Sequence, residues 1–105
     1  MLLTGCSAGG LATYLHADYV HARLRASAPR LLKYKAAPIS GFFLDHDTVE
    51  GKGVYAAQMA YIFALANASG GVNVECIAAT PAAEAWKCNF AERSYELTNE
   101  PPPMC

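Results

Sequence analysis

The residues best suited to chemistry stand at the start of the chain: Gly5-Cys6-Ser7-Ala8-Gly9, a G-x-S-x-G pattern. An apolar run, Met1 to Thr4, precedes it and a helical pattern follows. In that setting the motif is a strand-to-helix turn that holds a serine hydroxyl out at the carboxyl end of a sheet. So sharp a turn strains the backbone of its central residue, and Gly5 and Gly9 are read as the residues that give it room. Ser7 is the candidate nucleophile. The backbone N–H of Ala8, beside the positive end of a helix dipole, is the candidate donor to the oxyanion formed when a serine attacks a carbonyl. One such donor lowers a barrier by about 3–4 kcal/mol. The lysine of a P-loop and the G-x-G-x-x-G spacing are both missing, so a phosphate-binding turn fits poorly. A glycine-rich turn without chemistry is the other reading of these residues.

A serine nucleophile needs a base. His16 and His21 fall on the helix behind Ser7, and His46 follows soon after a strand end. Asp45 and Asp47 also follow that strand end, where an acid or a simple loop cap is found. The usual order along such a fold is serine, acid, histidine, so the acid and base of a triad are expected beyond residue 105. No metal or organic cofactor is expected. The cysteines, Cys6, Cys76, Cys88 and Cys105, form no C-x-x-C pair, and His16 and His21 are five apart rather than i,i+4. Cys76 and Cys88 flank a short segment. They either close a disulfide or stay as buried thiols, and the residues alone leave both open.

These groups must be positioned by a small set of elements. Leu11, Leu15, Tyr19 and Ala22 recur at spacings of four, four and three, which predicts an amphipathic helix stopped by Pro29. Ala36 to Leu44 reads as a mostly buried strand, and Asp45 to Thr48 as a loop. Val54 to Ala68 predicts a second helix, apolar on nearly every side and read as a buried core helix, ended by Ser69-Gly70-Gly71. Residues 73–86 read as a loop or broken helix and Phe90 to Leu97 as a last helix. Pro101 to Pro103 ends regular structure. The order is α/β with a right-handed crossover. Two parallel strands make no stable sheet alone, so the fold is incomplete or needs a partner. Residues 1–100 are read as one partial domain. Residues 101–105 are read as a Pro-rich tail outside it, which leaves Cys105 exposed or extraneous to the fold.

The chain has 105 residues, 53% hydrophobic and 16% charged, with 8 Lys+Arg against 9 Asp+Glu and a formal net charge of −1. So apolar a chain is not disordered, and so neutral a chain is no strongly basic nucleic-acid binder. No charge falls between Gly53 and Val74, but Gln58, Asn67, Ser69, Gly70 and Gly71 make that stretch a poor membrane span. The start has no basic segment ahead of its short apolar run, so no signal peptide is read here. A secreted parent would carry its signal upstream of Met1.

Three stretches together resemble the pectin acetylesterases, a family that includes the animal carboxylesterase Notum. They are Leu2 to Ala12 with Leu15-His16-Ala17-Asp18-Tyr19; Gly41-Phe42-Phe43-Leu44-Asp45; and Cys76 through Trp86-Lys87-Cys88-Asn89-Phe90-Ala91-Glu92. The resemblance runs nearly the whole length, to about Pro101. It implies a secreted or cell-wall α/β hydrolase that cleaves acyl esters, with acylated polysaccharide or another ester as substrate. It places the nucleophile at Ser7 and an oxyanion N–H at Ala8. It makes Cys76 and Cys88 half-cystines, and sets Phe42 and Phe90 on segments bordering an acyl pocket. Asp45 matches a recurrent family aspartate that is not the triad acid. The family's glycine-rich oxyanion loop lies upstream of this segment and its triad Asp and His downstream. Ala17 stands where many plant members carry Cys. The resulting expectation is a partial α/β-hydrolase, truncated and inactive alone. The alternatives are a non-catalytic carbohydrate- or partner-binding remnant, or another hydrolase of this fold such as a lipase or peptidase.

Overall fold

The computed structural model describes residues 1–99; the Pro-rich tail and Cys105 lie outside the described residues. Strand β1 (Leu2–Cys6) runs parallel to β2 (Lys35–Ile39) in register from Leu2 opposite Lys35 to Cys6 opposite Ile39. Parallel neighbours need a crossover, and helix α1 (Ala8–Ser27) supplies it. Helix α2 (Val54–Leu65), a 3-10 turn at Ala68–Gly70, helix α3 (Val74–Ala79), a 3-10 stretch at Ala82–Asn89 and helix α4 (Ala91–Glu96) follow. The chain is thus mixed α/β around a two-stranded parallel sheet.

The face that α1 presents to the strands is not the predicted Leu11–Leu15–Tyr19–Ala22 stripe. Gly10, Thr13, Tyr14 and Ala17 are its buried residues, and Tyr19 is exposed. The reason is steric. A Cβ on Gly10 would sit 2.5 Å from the Ile39 carbonyl oxygen and 2.8 Å from Gly41 Cα, so helix and strand end meet backbone to backbone. Small residues permit that approach, while the bulkier Leu11 and Leu15 take partly buried flanks. Tyr34 finishes the seam. Its hydroxyl donates to the Ala17 carbonyl at 3.0 Å, and its ring stacks on His21 at 5.0 Å.

Strand β2 ends at Ile39, short of the predicted Leu44, because Ser40 turns to φ 50° and takes the chain out of the ladder. Residues 41–44 continue as irregular chain, tied down where the Ala91 N–H donates to the Phe43 carbonyl at 3.3 Å. Helix α2 is also corrected. It stops at Leu65, and of its residues only Met59 is buried, while Val54, Tyr61, Ile62 and Leu65 are exposed. Apolar content drew the expectation of a core helix, but the described residues cover one side only.

The segment read as a loop or broken helix is a second packed unit. Cys76 and Cys88 are joined by a disulfide, and both are fully buried with Val72 against Leu15, Phe63, Ile77 and Leu97. Asn73 begins α3 by accepting the Cys76 N–H on its side-chain oxygen at 3.0 Å. The buried Ser94 hydroxyl donates to the Cys88 carbonyl at 2.7 Å, which ties α4 to the same unit. Among the described residues, no helix is long and apolar enough to cross a membrane.

Candidate active site

Ser7 is the single residue between β1 and α1, and its backbone is strained: φ 54°, ψ −118°. A non-glycine residue held at positive φ costs about 1–3 kcal/mol and persists only where its surroundings over-determine it. They do so here. The Ser7 N–H donates to the Ile39 carbonyl at 2.9 Å, which pins the elbow to the end of β2. The Ser7 carbonyl accepts the Leu11 N–H at 3.0 Å, which makes Ser7 the first acceptor of α1. Its side chain makes no capping bond, is solvent-exposed and has no hydrogen-bond partner among the described residues.

The glycines divide the work differently from the expectation that Gly5 and Gly9 both make room. A Cβ on Gly5 would collide with the Gly9 carbonyl, so Gly5 must be glycine. A Cβ on Gly9 would meet nothing within 4 Å. The second steric demand falls on Gly10 and Gly41, each of which would drive a Cβ into the other's backbone. The turn is therefore held from two sides, by Gly5 over Gly9 and by Gly10 against Gly41.

Ala8 opens α1, a helix of 20 residues, and its N–H is among those that have no acceptor within the helix. With the dipole of α1 behind it, this end favours a developing negative charge close to the Ser7 hydroxyl.

The histidines and Asp45, which the sequence offers only as poor candidates for Ser7's partners, do not gather at it among the described residues. His16 is an exposed residue of α1, two turns and more from the elbow. His21 is stacked on Tyr34, and His46 is exposed with Nδ1 2.7 Å from the Asp47 carbonyl. None hydrogen-bonds to Ser7 among the described residues. Asp45 lies beyond the strand end and accepts nothing from Ser7; its backbone N–H donates to Glu92 Oε1 at 3.3 Å.

Phe42 follows Gly41, so it lies just past the elbow contact, half-exposed, its ring edge-on to Tyr14 at 5.9 Å. Phe90 is 1% exposed and anchors an aromatic cluster, with Tyr55 at 5.7 Å and Trp86 at 6.0 Å. Burial raises the Tyr55 phenol above its ordinary value. Phe90 also floors a cavity of about 280 Å³ rimmed by Asp45, Lys87, Glu92, Arg93 and Glu96, which is polar rather than acyl-like.

Sequence reasoning missed Asp18. Its Oδ2 accepts from Asn73 Nδ2 at 3.0 Å and from the Asn99 N–H at 3.1 Å, joining α1 to the disulfide unit and to the last described residue. Partners 55 and 81 positions away leave no local pattern. The one legible signal was Asn73 three residues before Cys76, a helix-start spacing.

Comparison with known proteins bears on the same stretch of chain. Residues 1–102 match the family model described as Pectinacetylesterase. Pectin acetylesterase 5 of Arabidopsis thaliana is 32% identical over 100 residues, which cover 95% of this chain and 22% of that relative. The chain thus spans about a fifth of the length of the curated relative it matches. With the family model covering nearly all of it and the strained serine elbow at its head, the chain belongs to the pectinacetylesterase family.

Proposed function

We propose that this chain is the nucleophile-bearing part of a secreted or cell-wall serine esterase of the α/β-hydrolase fold that removes acyl groups, acetyl above all, from polysaccharide. The observation that carries the reading is Ser7 at positive φ, its backbone fixed by the Ile39 carbonyl at the head of a 20-residue helix and its hydroxyl exposed and unpartnered among the described residues. Ser7 Oγ attacks the ester carbonyl and passes its proton to a base. The carbonyl electrons move onto an oxygen that the Ala8 N–H stabilises. Collapse of this intermediate expels the sugar alcohol, which takes up the proton, and water then hydrolyses the acyl-serine. Phe42, beside the elbow, is the proposed contact for the acyl group. Phe90, which packs on Tyr55 and Trp86, is the second proposed lining residue. The acid and base come from outside residues 1–99, so the chain alone turns over no ester.

A chimera tests this. The matching segment of the Arabidopsis relative is replaced by residues 1–100 of this chain, and acetate release from acetylated pectin is measured. The chimera is expected to release acetate and its Ser7→Ala variant to release none above background. A second graft, residues 2–12 only, guards against a segment that fails to fold in its new host. An active Ser7→Ala chimera contradicts the proposal.

A further inference from the structure

We propose that Asn67, in the turn that follows α2, is an N-glycosylation site of this protein. Asn67-Ala68-Ser69 is an N-x-S triplet whose middle residue is not proline, the pattern that the oligosaccharide transferase of the secretory pathway accepts. The chain has four asparagines, and this one alone has Ser or Thr two residues on. Asn73 is followed there by Glu75, Asn89 by Ala91 and Asn99 by Pro101. The inference rests on the secreted reading above, since only a chain that enters that pathway meets the transferase.

The fold supplies an independent observation. Asn67 follows the Ala66 cap of α2 in the left-handed conformation, φ 48° and ψ 47°, and its N–H donates to the Ala64 carbonyl at 3.1 Å. Helices commonly end on a left-handed residue, usually glycine and sometimes asparagine. Helix termination therefore accounts for Asn67, but it asks nothing of residue 69. Ser69 lies in the 3-10 turn Ala68–Gly70 and is exposed, as is Asn67. Neither its hydroxyl nor the Asn67 side-chain amide has a hydrogen-bond partner among the described residues. Other polar side chains here are spent on the fold. The Ser27 and Ser94 hydroxyls donate to backbone carbonyls, Asn73 is buried with both ends of its amide engaged, and Asn89 is buried. Asn67 and Ser69 are the pair left to solvent, so a bulky sugar at Asn67 displaces no packed side chain.

The co-reactant is an oligosaccharide carried on a lipid diphosphate. Asn67 Nδ2 attacks its anomeric carbon, and a C–N bond forms as the bond from that carbon to the diphosphate oxygen breaks. The lipid diphosphate leaves with the electron pair, and the amide gives up one proton to a base. Ser69 is read by the transferase and is not consumed. A glycan at Asn67 sets the turn between α2 and α3 on the outer surface of the whole enzyme, although Tyr61, Ile62 and Leu65 just before it are exposed apolar residues.

The test expresses the full 105-residue chain in plant cells behind an added secretion leader, so that entry into the pathway does not depend on the parent's own address. Chain from medium and cell extract is pooled, because transfer takes place on the nascent polypeptide and needs no folded product. After reduction, trypsin releases the peptide Gly53–Lys87, which is mapped by mass spectrometry before and after peptide-N-glycosidase A. The peptide is expected to carry an oligosaccharide in most molecules, and the glycosidase to remove it and convert Asn67 to Asp. Asn67→Gln and Ser69→Ala are expected to lose the sugar, and Ser69→Thr to keep it. Unmodified Asn67 in chain whose leader has been cleaved, or a glycan on Asn67 that persists in Ser69→Ala, overturns the proposal and leaves the esterase reading standing. A glycosylated leader-borne chain beside a whole parent enzyme that stays in the cytosol overturns it through the secreted reading instead.

Discussion

Adding one methyl group at each of two adjacent glycines should have opposite effects. At Gly10 a Cβ would sit 2.5 Å from the Ile39 carbonyl oxygen, and 2.8 and 2.9 Å from Gly41 Cα and N. All three are backbone atoms, so no side chain can swing away. Ordinary contact begins near 3.4 Å, so β2 and α1 must separate by about 0.9 Å. Ile39 is also the acceptor for the Ser7 N–H at 2.9 Å, and that bond is stretched by the same movement. Overpacking costs about 1–3 kcal/mol and a weakened hydrogen bond about 1 kcal/mol, while replacing glycine by alanine in a helix returns about 1 kcal/mol. The net loss for Gly10→Ala is about 2 kcal/mol, or roughly thirtyfold in the unfolded population. At Gly9 a Cβ meets nothing, so Gly9→Ala keeps the helix gain and stabilises by about 0.5–1 kcal/mol. Protease susceptibility of the displayed chain reads both, since cleavage follows the population of the open form. Gly10→Ala should be cut roughly thirtyfold faster than the parent, and Gly9→Ala no faster. A Gly10→Ala as resistant as the parent, or a Gly9→Ala equally damaged, refutes the reasoning that Gly10 rather than Gly9 carries the close approach.

Three further outcomes are expected. Replacing Cys76 and Cys88 together by alanine opens a link between residues 12 apart; the loss should be about 3 kcal/mol, seen as matching rises in protease sensitivity of the double variant and of the reduced parent. The Tyr55 phenol, raised above 10.0 by burial, holds its proton in the folded state after the unfolded chain has lost it. Stability therefore falls as pH rises from 10 through the folded value, and Tyr55→Phe should flatten that fall in urea titrations without altering the curve at neutral pH. The chain alone should hydrolyse p-nitrophenyl acetate no faster than its Ser7→Ala variant; turnover that depends on Ser7 would show that the residues present suffice.

The serine elbow was legible in the sequence because its demands are local. A strained residue between strand and helix needs small neighbours within a few positions, and Gly5, Ser7 and Gly10 are all in the opening run. Sequence gave no way to tell Gly9 from Gly10, since which of them meets Gly41 depends on where β2 returns. The same limit explains the rotated face of α1. Periodicity of large side chains pointed to Leu11, Leu15 and Tyr19, whereas the strands pack on Gly10, Thr13 and Ala17, whose smallness lets the backbones close. Strand β2 is shorter than the apolar run Gly41 to Leu44 suggests, because Ser40 at φ 50°, between Pro38 in the strand and Gly41 after it, ends the ladder. Apolar content placed α2 in a core, yet content alone does not say which neighbour covers which side. Asp18 escaped altogether, because a carboxylate that collects donors from Asn73 and Asn99 is defined only once the chain has folded.

The identity of the nucleophile is tested most directly by trapping it. The active chimera is treated with diethyl p-nitrophenyl phosphate, digested and mapped by mass spectrometry, with residual deacetylation measured on the same sample. The account predicts one diethylphosphoryl group, on Ser7, rising in step with loss of activity. Inactivation with the label on another residue, and Ser7 recovered unmodified, would contradict it.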